Sequence, residues 1–124
     1  MIDIDTLVRI AGYFRFRWDP PILAELAQRP SRFRQLATRL QRHVGEHVDD
    51  NALSRSLQRL TRSGLVTADD NRVGRRDFKV YRLTAKGHAH VHTYGALAAV
   101  FVEKPDPHPG QDELGDPQRT DDAA

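Results

Sequence analysis

Asn51, Ser54, Arg55, Gln58 and Arg62 recur at spacings that put them on the polar side of one amphipathic helix. An arginine can donate two parallel hydrogen bonds to O6 and N7 of guanine, and an asparagine or glutamine can pair in the same way with adenine. Asn51, Ser54, Arg55 and Gln58 are therefore candidates for reading base edges, whereas Arg59 and Arg62, toward the end of the helix, suit phosphate. Arg72, Arg75 and Arg76 cluster in a turn shortly afterwards, where they can hold the backbone or the adjacent minor groove. Ser31, Arg32 and Arg34, at the start of an earlier helix, are placed for further phosphate contacts. The competing reading makes these arginines an ordinary solvated face.

The elements that would position these side chains can be read from apolar periodicity. Leu53, Leu57 and Leu60 stand at i, i+4 and i+7, the buried stripe of a helix over about 50–63 that starts at Asp49 or Asp50 and stops at Gly64. A first helix runs from Asp3 or Asp5 to about Phe16, with Leu7, Ile10, Ala11 and Phe14 on one face. Asp19-Pro20-Pro21 supplies a cap and a first-turn proline for a second, with Ile22, Leu23 and Leu26 inside. Ser31 caps a third, where Phe33, Leu36, Ala37 and Leu40 share a face, and His43 to Asp50 reads as a loop. Strands over Leu65–Ala68 and Phe78–Leu83 flank a turn at about 69–77, in which Asn71 and Gly74 tolerate the required conformations. Thr84 caps a last helix carrying Val91, Tyr94, Leu97, Ala98 and Phe101. The expected class is mainly α with a small β hairpin, in the order α-α-α-α-β-β-α.

Among the 124 residues the formal charge is +2, but residues 104–124 hold six acids against Lys104 and Arg119, a local −4 that leaves +6 on 1–103. A folded part of that charge attracts polyanions. Residues 104–124 are rich in proline and glycine and poor in large apolar side chains, so they read as a disordered acidic tail on a domain of residues 1–103. The absence of cysteine excludes disulfides, thiolate redox sensing and Cys-ligated zinc. No apolar run approaches the roughly 20 residues of a membrane span, and no apolar signal segment follows Met1. A cytoplasmic protein without a membrane partner is expected.

Three helices followed by a hairpin make the winged helix-turn-helix arrangement. Four separated blocks narrow the resemblance: Trp18 through Leu26, Arg32-Phe33-Arg34-Gln35-Leu36, Leu53 through Val66 with its leucines and Gly64, and Val80-Tyr81-Arg82-Leu83-Thr84-Ala85-Lys86-Gly87. Together, over about residues 14–90, they closely resemble the HxlR-type winged-helix transcriptional regulators. The MarR and PadR groups share the ending in which Gly-Leu-Val, a wing and Tyr-x-Leu-Thr-x-x-Gly follow one another. The resemblance implies a homodimeric repressor or activator that binds DNA and pairs through its terminal helices. Two features depart from the group. A longer loop, Gln41 to Asp50, replaces a tight Leu-Pro-Gly-Ile-Ser-like turn, and the N-terminal cysteine that some members use for redox sensing is missing.

On this reading the helix at 50–63 lies in the major groove of double-stranded DNA and the wing at 69–77 on its backbone or minor groove. Leu7, Ile10, Phe14, Val91, Tyr94, Leu97, Ala98 and Phe101 would form the interface of a homodimer on a palindromic operator, which it probes with two helices about one DNA turn apart. A small-molecule effector of unknown identity would sit near Trp18, Tyr13 and Tyr94. His88, His90 and His92, and the pair His43 and His47, have helical ligand spacing, but no cysteine or carboxylate accompanies them, so no metal and no cofactor are expected. Nor does the chain hold a phosphate loop, a nucleophile elbow or paired carboxylates, which argues against an enzyme. The alternative to an operator-binding repressor is a winged-helix protein-interaction module with little specific DNA binding.

Overall fold

Asp3 opens the first helix: its carboxylate accepts from the Asp5 amide at 3.2 Å and from the Thr6 hydroxyl at 2.6 Å, which satisfies the exposed N-terminus of α1 (Ile4–Tyr13). The structure, a computed structural model, describes residues 1–103. The expected extension of α1 to Phe16 is not made, because Phe16 turns away to lie under the Arg59 guanidinium, 3.5 Å from its ring centre. In α2 (Asp19–Gln28) the prolines occupy the first turn, where their missing amide donors have no helical partner to lose. Trp18, rather than Asp19, is the N-cap, and the Asp19 carboxylate is committed elsewhere.

The third helix corrects two expectations. Ser31 is not its cap: Ser31-Arg32 is a short strand, β1, and Arg32 takes the cap position of α3 (Phe33–Val44), its amide donating to Gln35 Oε1 at 3.0 Å. The helix also continues past Leu40 to Val44, so the loop expected from His43 shrinks to Gly45–Asp49. Gly45, at φ 80°, stops the helix in the left-handed conformation. Inside the loop Val48 is fully buried, and its amide donates to Gln41 Oε1 at 3.2 Å.

Asp49 caps α4 (Asp50–Arg62) by accepting from the Ala52 amide at 3.0 Å. Its end is a Schellman motif: Gly64 is at φ 80°, the Gly64 amide donates to the Thr61 carbonyl and the Leu65 amide to the Leu60 carbonyl. The strands are longer than expected, β2 being Val66–Val73 and β3 Arg76–Leu83, joined only by Gly74-Arg75 with Gly74 at φ 62°. Residues 69–77, expected as a turn, are thus mostly paired backbone. Both neighbours of β3 are antiparallel, in the order β1-β3-β2, with Ser31 opposite Tyr81 and Asp70 opposite Lys79. The described residues therefore make five helices and a three-stranded sheet, a winged helix in which β1 is an addition to the expected order.

The buried core is apolar and comes from the inner faces of α2, α3 and α4 with the entry to β2: Ile22, Leu23, Leu26, Leu36, Leu40, Leu53, Leu57, Leu60 and Val66 are nearly inaccessible. The last helix, α5 (Ala85–Glu103), starts at Thr84, whose hydroxyl accepts from the Gly87 amide at 3.0 Å and donates to the Gly64 carbonyl at 2.7 Å. It runs from the compact unit Met1–His92 into a second that begins at Thr93. No helix among the described residues is long and apolar enough to cross a membrane. The acidic tail, residues 104–124, lies outside the described residues.

Candidate nucleic-acid interface

Helix α4 buries Leu53, Ser56, Leu57 and Leu60 and turns Asn51, Arg55, Gln58 and Arg62 outward, with Ser54 half-buried at the edge. Between this helix and the hairpin runs an open groove lined by Ser54, Gln58, Thr61, Arg62, Lys79 and Tyr81. Three expected base or phosphate readers, Ser54, Gln58 and Arg62, thus share one surface. Lys79 and Tyr81 were not anticipated there. Their i, i+2 spacing on β3 was the available signal, since alternate residues of a strand share a face.

The arginines divide by what already holds them. Arg55, Arg62, Arg75 and Arg76 have no carboxylate or hydrogen-bond partner among the described residues. Arg72 is tied into its own turn, donating to the Gly74 carbonyl at 3.2 Å and standing 3.8 Å from Asp77 Oδ1. Arg32 lies over the Phe78 ring at 3.8 Å. Arg34 donates to Asp50 Oδ2 at 2.8 Å; this hydrogen bond holds the Asp50 carboxyl below its ordinary range and raises Arg34.

Two expected contacts are corrected. Ser31 is only 1 % exposed, and its hydroxyl accepts from Arg39 Nη1 at 2.6 Å, so it braces β1 against α3 instead of facing phosphate. Arg59 points inward: Nη2 donates to Asp19 Oδ1 at 2.8 Å and to Ser56 Oγ at 3.0 Å, and the guanidinium covers the Phe16 ring. The missed signal is that Arg59 lies three residues beyond Ser56, at the margin of the buried stripe.

Residues 22–93 match the transcriptional regulator PadR-like family. The chain belongs to that family. This PadR-like chain also resembles solved structures: the reduced transcriptional regulator YodB of Bacillus subtilis is 19% identical, with a TM-score of 0.66, over 86% of this chain and 98% of that one. A MarR-family regulator from Enterococcus faecalis is 20% identical, with a TM-score of 0.67, over 84% and 93%. Bacillus subtilis PadR, solved in complex with operator DNA, is 18% identical, with a TM-score of 0.57, over 70% of this chain and 59% of its own. At such identities the likeness speaks for the fold. No curated protein matches the chain.

The PadR-like chain exposes apolar surface on residues expected to form a dimer interface. On α1 Leu7 is 47% exposed and Ile10 half-buried, Phe14 at its C-cap is 48% exposed, and the unanticipated Ile4 and Val8 are exposed too. On α5, Phe101 is 80% exposed beside exposed Ala98 and Val100, while Val91, Tyr94 and Leu97 are half-buried. Of the aromatic side chains expected to line an effector site, Trp18 lies under the Arg17 guanidinium at 4.6 Å, Tyr13 lies against His90, and Tyr94 is half-buried on α5.

His88, His90 and His92 do not converge on a metal geometry: among the described residues no three His, Cys, Asp or Glu side chains form such a group. His90 instead packs on Tyr13, ring centres 4.1 Å apart. Burial pushes its pKa below the ordinary value, Asp19 partly opposing this and Lys86 adding to it. A histidine depressed in the folded state stabilises the fold above its unfolded pKa of about 6.5, and that contribution is lost as pH falls through the lower folded value. Thermal midpoints measured from pH 7 to 5 should therefore decline, and His90→Phe should flatten the decline. An unchanged slope in the variant would remove His90 as its source.

Proposed function

We propose that this PadR-like regulator is a homodimeric repressor of the HxlR type that binds a palindromic operator, α4 entering the major groove and the β2–β3 hairpin resting on backbone or minor groove. The observation that carries this reading is the set of four uncommitted arginines, Arg55 and Arg62 on α4 and Arg75 and Arg76 at the hairpin tip. A cation with no internal partner gives up no ion pair when it meets phosphate, and release of DNA counterions then favours binding. Asn51, Ser54, Arg55 and Gln58 read base edges. Arg62, Arg72, Arg75 and Arg76 hold backbone, joined by Arg32 and Arg34 beside the start of α3. The operator complex of PadR, a protein of the same fold, supports this docking by analogy.

Dimerisation follows from the uncovered apolar side chains of α1 and of α5, each of which a second copy would shield from water. Two copies on one palindrome would repress by occluding the promoter. Selection from a random duplex pool at near-physiological salt tests the whole reading: an enriched palindrome is expected, and no enrichment would overturn it in favour of a protein-interaction module. With the operator in hand, Arg55→Ala should relax base preference at one position at a cost of about 1–3 kcal/mol, whereas Arg75→Ala should weaken binding to all sequences alike. Binding curves of both variants that overlie the parent would refute the docking.

A further inference from the structure

The outer face of α3 holds a second basic surface that the reading above leaves unused beyond its first turn. Arg34, Thr38 and Arg42 stand at i, i+4 and i+8 on the helix, all exposed, on the side opposite the buried Leu36, Ala37 and Leu40. With Arg32, Gln35 and Arg39 they line a shallow groove. Every one of these side chains can donate a hydrogen bond, four are guanidinium groups, and no carboxylate lines the groove among the described residues. The acid bonded to one of them, Asp50, occupies a single nitrogen of Arg34. Arg39 uses Nη1 on Ser31, and Arg42 has no partner among the described residues.

This groove is continuous with the wing. Arg32 lines it and also lines the hollow formed by Val73, Arg76, Asp77 and Phe78 beside the hairpin tip, where its guanidinium is fixed on the Phe78 ring. Cationic groups therefore follow one another from Arg76 through Arg32 to Arg42. Along α3 alone, the eight-residue step from Arg34 to Arg42 covers about 12 Å at 1.5 Å per residue. That is the axial rise of three to four phosphates on one DNA strand, at roughly 3.4 Å each.

We propose that this α3 face is a phosphate track for duplex DNA flanking the segment read by α4, with Arg42 as its outermost contact. The inference rests on the DNA-binding reading and extends its footprint along the backbone. A band of donors whose described lining holds no carboxylate suits a regular row of diester phosphates, and its contribution is independent of sequence.

The test is the salt dependence of binding to a labelled mixed-sequence duplex of about 40 base pairs, followed by fluorescence anisotropy between about 50 and 200 mM salt. Arg42→Ala should lower the slope of log K against log salt by about 0.9 for each protomer bound. Arg42→Lys should restore it, and Arg9→Ala, which removes the same charge from α1, should keep the parent slope. A parent-like slope for Arg42→Ala, an equal loss in Arg9→Ala, or no recovery with lysine would each overturn the track while leaving the α4 reading intact. A parent chain that binds no duplex even at the lowest salt would overturn the DNA reading itself, and the track with it.

Discussion

Gly87→Ala should unfold the protein roughly 5–15 °C below the parent, the reverse of what the exchange does in an ordinary helix. Alanine normally stabilises a helix interior by up to about 1 kcal/mol relative to glycine. At Gly87 an added Cβ would lie 2.2 Å from the Leu65 carbonyl oxygen and 2.9 Å from Leu83 Cδ2. The first of these is backbone, and the same carbonyl accepts the Thr84 amide at 3.1 Å, so α5 can only make room by giving up the junction that starts it. Forced overpacking of this kind costs about 1–3 kcal/mol, enough to outweigh the gain in propensity. Gly95→Ala, in the same helix and with nothing within 4 Å of the new methyl group, is the control and should raise the midpoint slightly. Equal melting of Gly87→Ala and parent would show that α5 does not approach Leu65 so closely.

That close approach gives a physical meaning to the Thr-x-x-Gly ending by which the chain could be placed among winged-helix regulators from sequence. Thr84 ties α5 to Gly64, and Gly87 lets it settle on Leu65. Caps and cores were legible for the same reason: each depends on one residue and its near neighbours. Asp3, Asp49 and Thr84 cap as expected, and the leucines of α3 and α4 are buried as their spacing requires. Strand β1 left no such trace, because two residues carry no period and Ser31-Arg32 is extended only through its pairing with Val80 and Tyr81. The outer hairpin was hidden by polarity. Its ladder is laced by charge, Lys79 to Asp70 at 3.2 Å and Arg82 to Asp69 at 3.1 Å, where apolar alternation would have announced a strand. At the interface, residue type identified the arginines able to meet DNA but not the direction in which each points. Only tertiary partners separate the uncommitted Arg55 from the committed Arg59.

The commitment of Arg59 leads to the other large effect. Asp19→Ala should lower stability by about 2–3 kcal/mol, a figure reduced from the 3–5 of fully buried pairs because some solvent reaches this one. The Asp19 side chain is 12% and the Arg59 side chain 29% exposed, with Nη2 to Oδ1 at 2.8 Å and Nε to Oδ2 at 3.4 Å. Among the described residues, loss of the carboxylate leaves a part-buried guanidinium with only Ser56 and the Phe16 ring. Arg59→Ala should cost a similar amount, since it strands Asp19 instead. The double variant should lose little more than either single one, the mark of two residues that act as a pair. A phosphate-contacting Arg59 would behave differently: Arg59→Ala would melt with the parent and lose DNA affinity, and Asp19→Ala would bind DNA more tightly. Measured together, melting and salt-dependent binding of these variants decide between an arginine that touches DNA and one that pins α4 to α2, and so sets the angle at which Arg55 and Gln58 are presented.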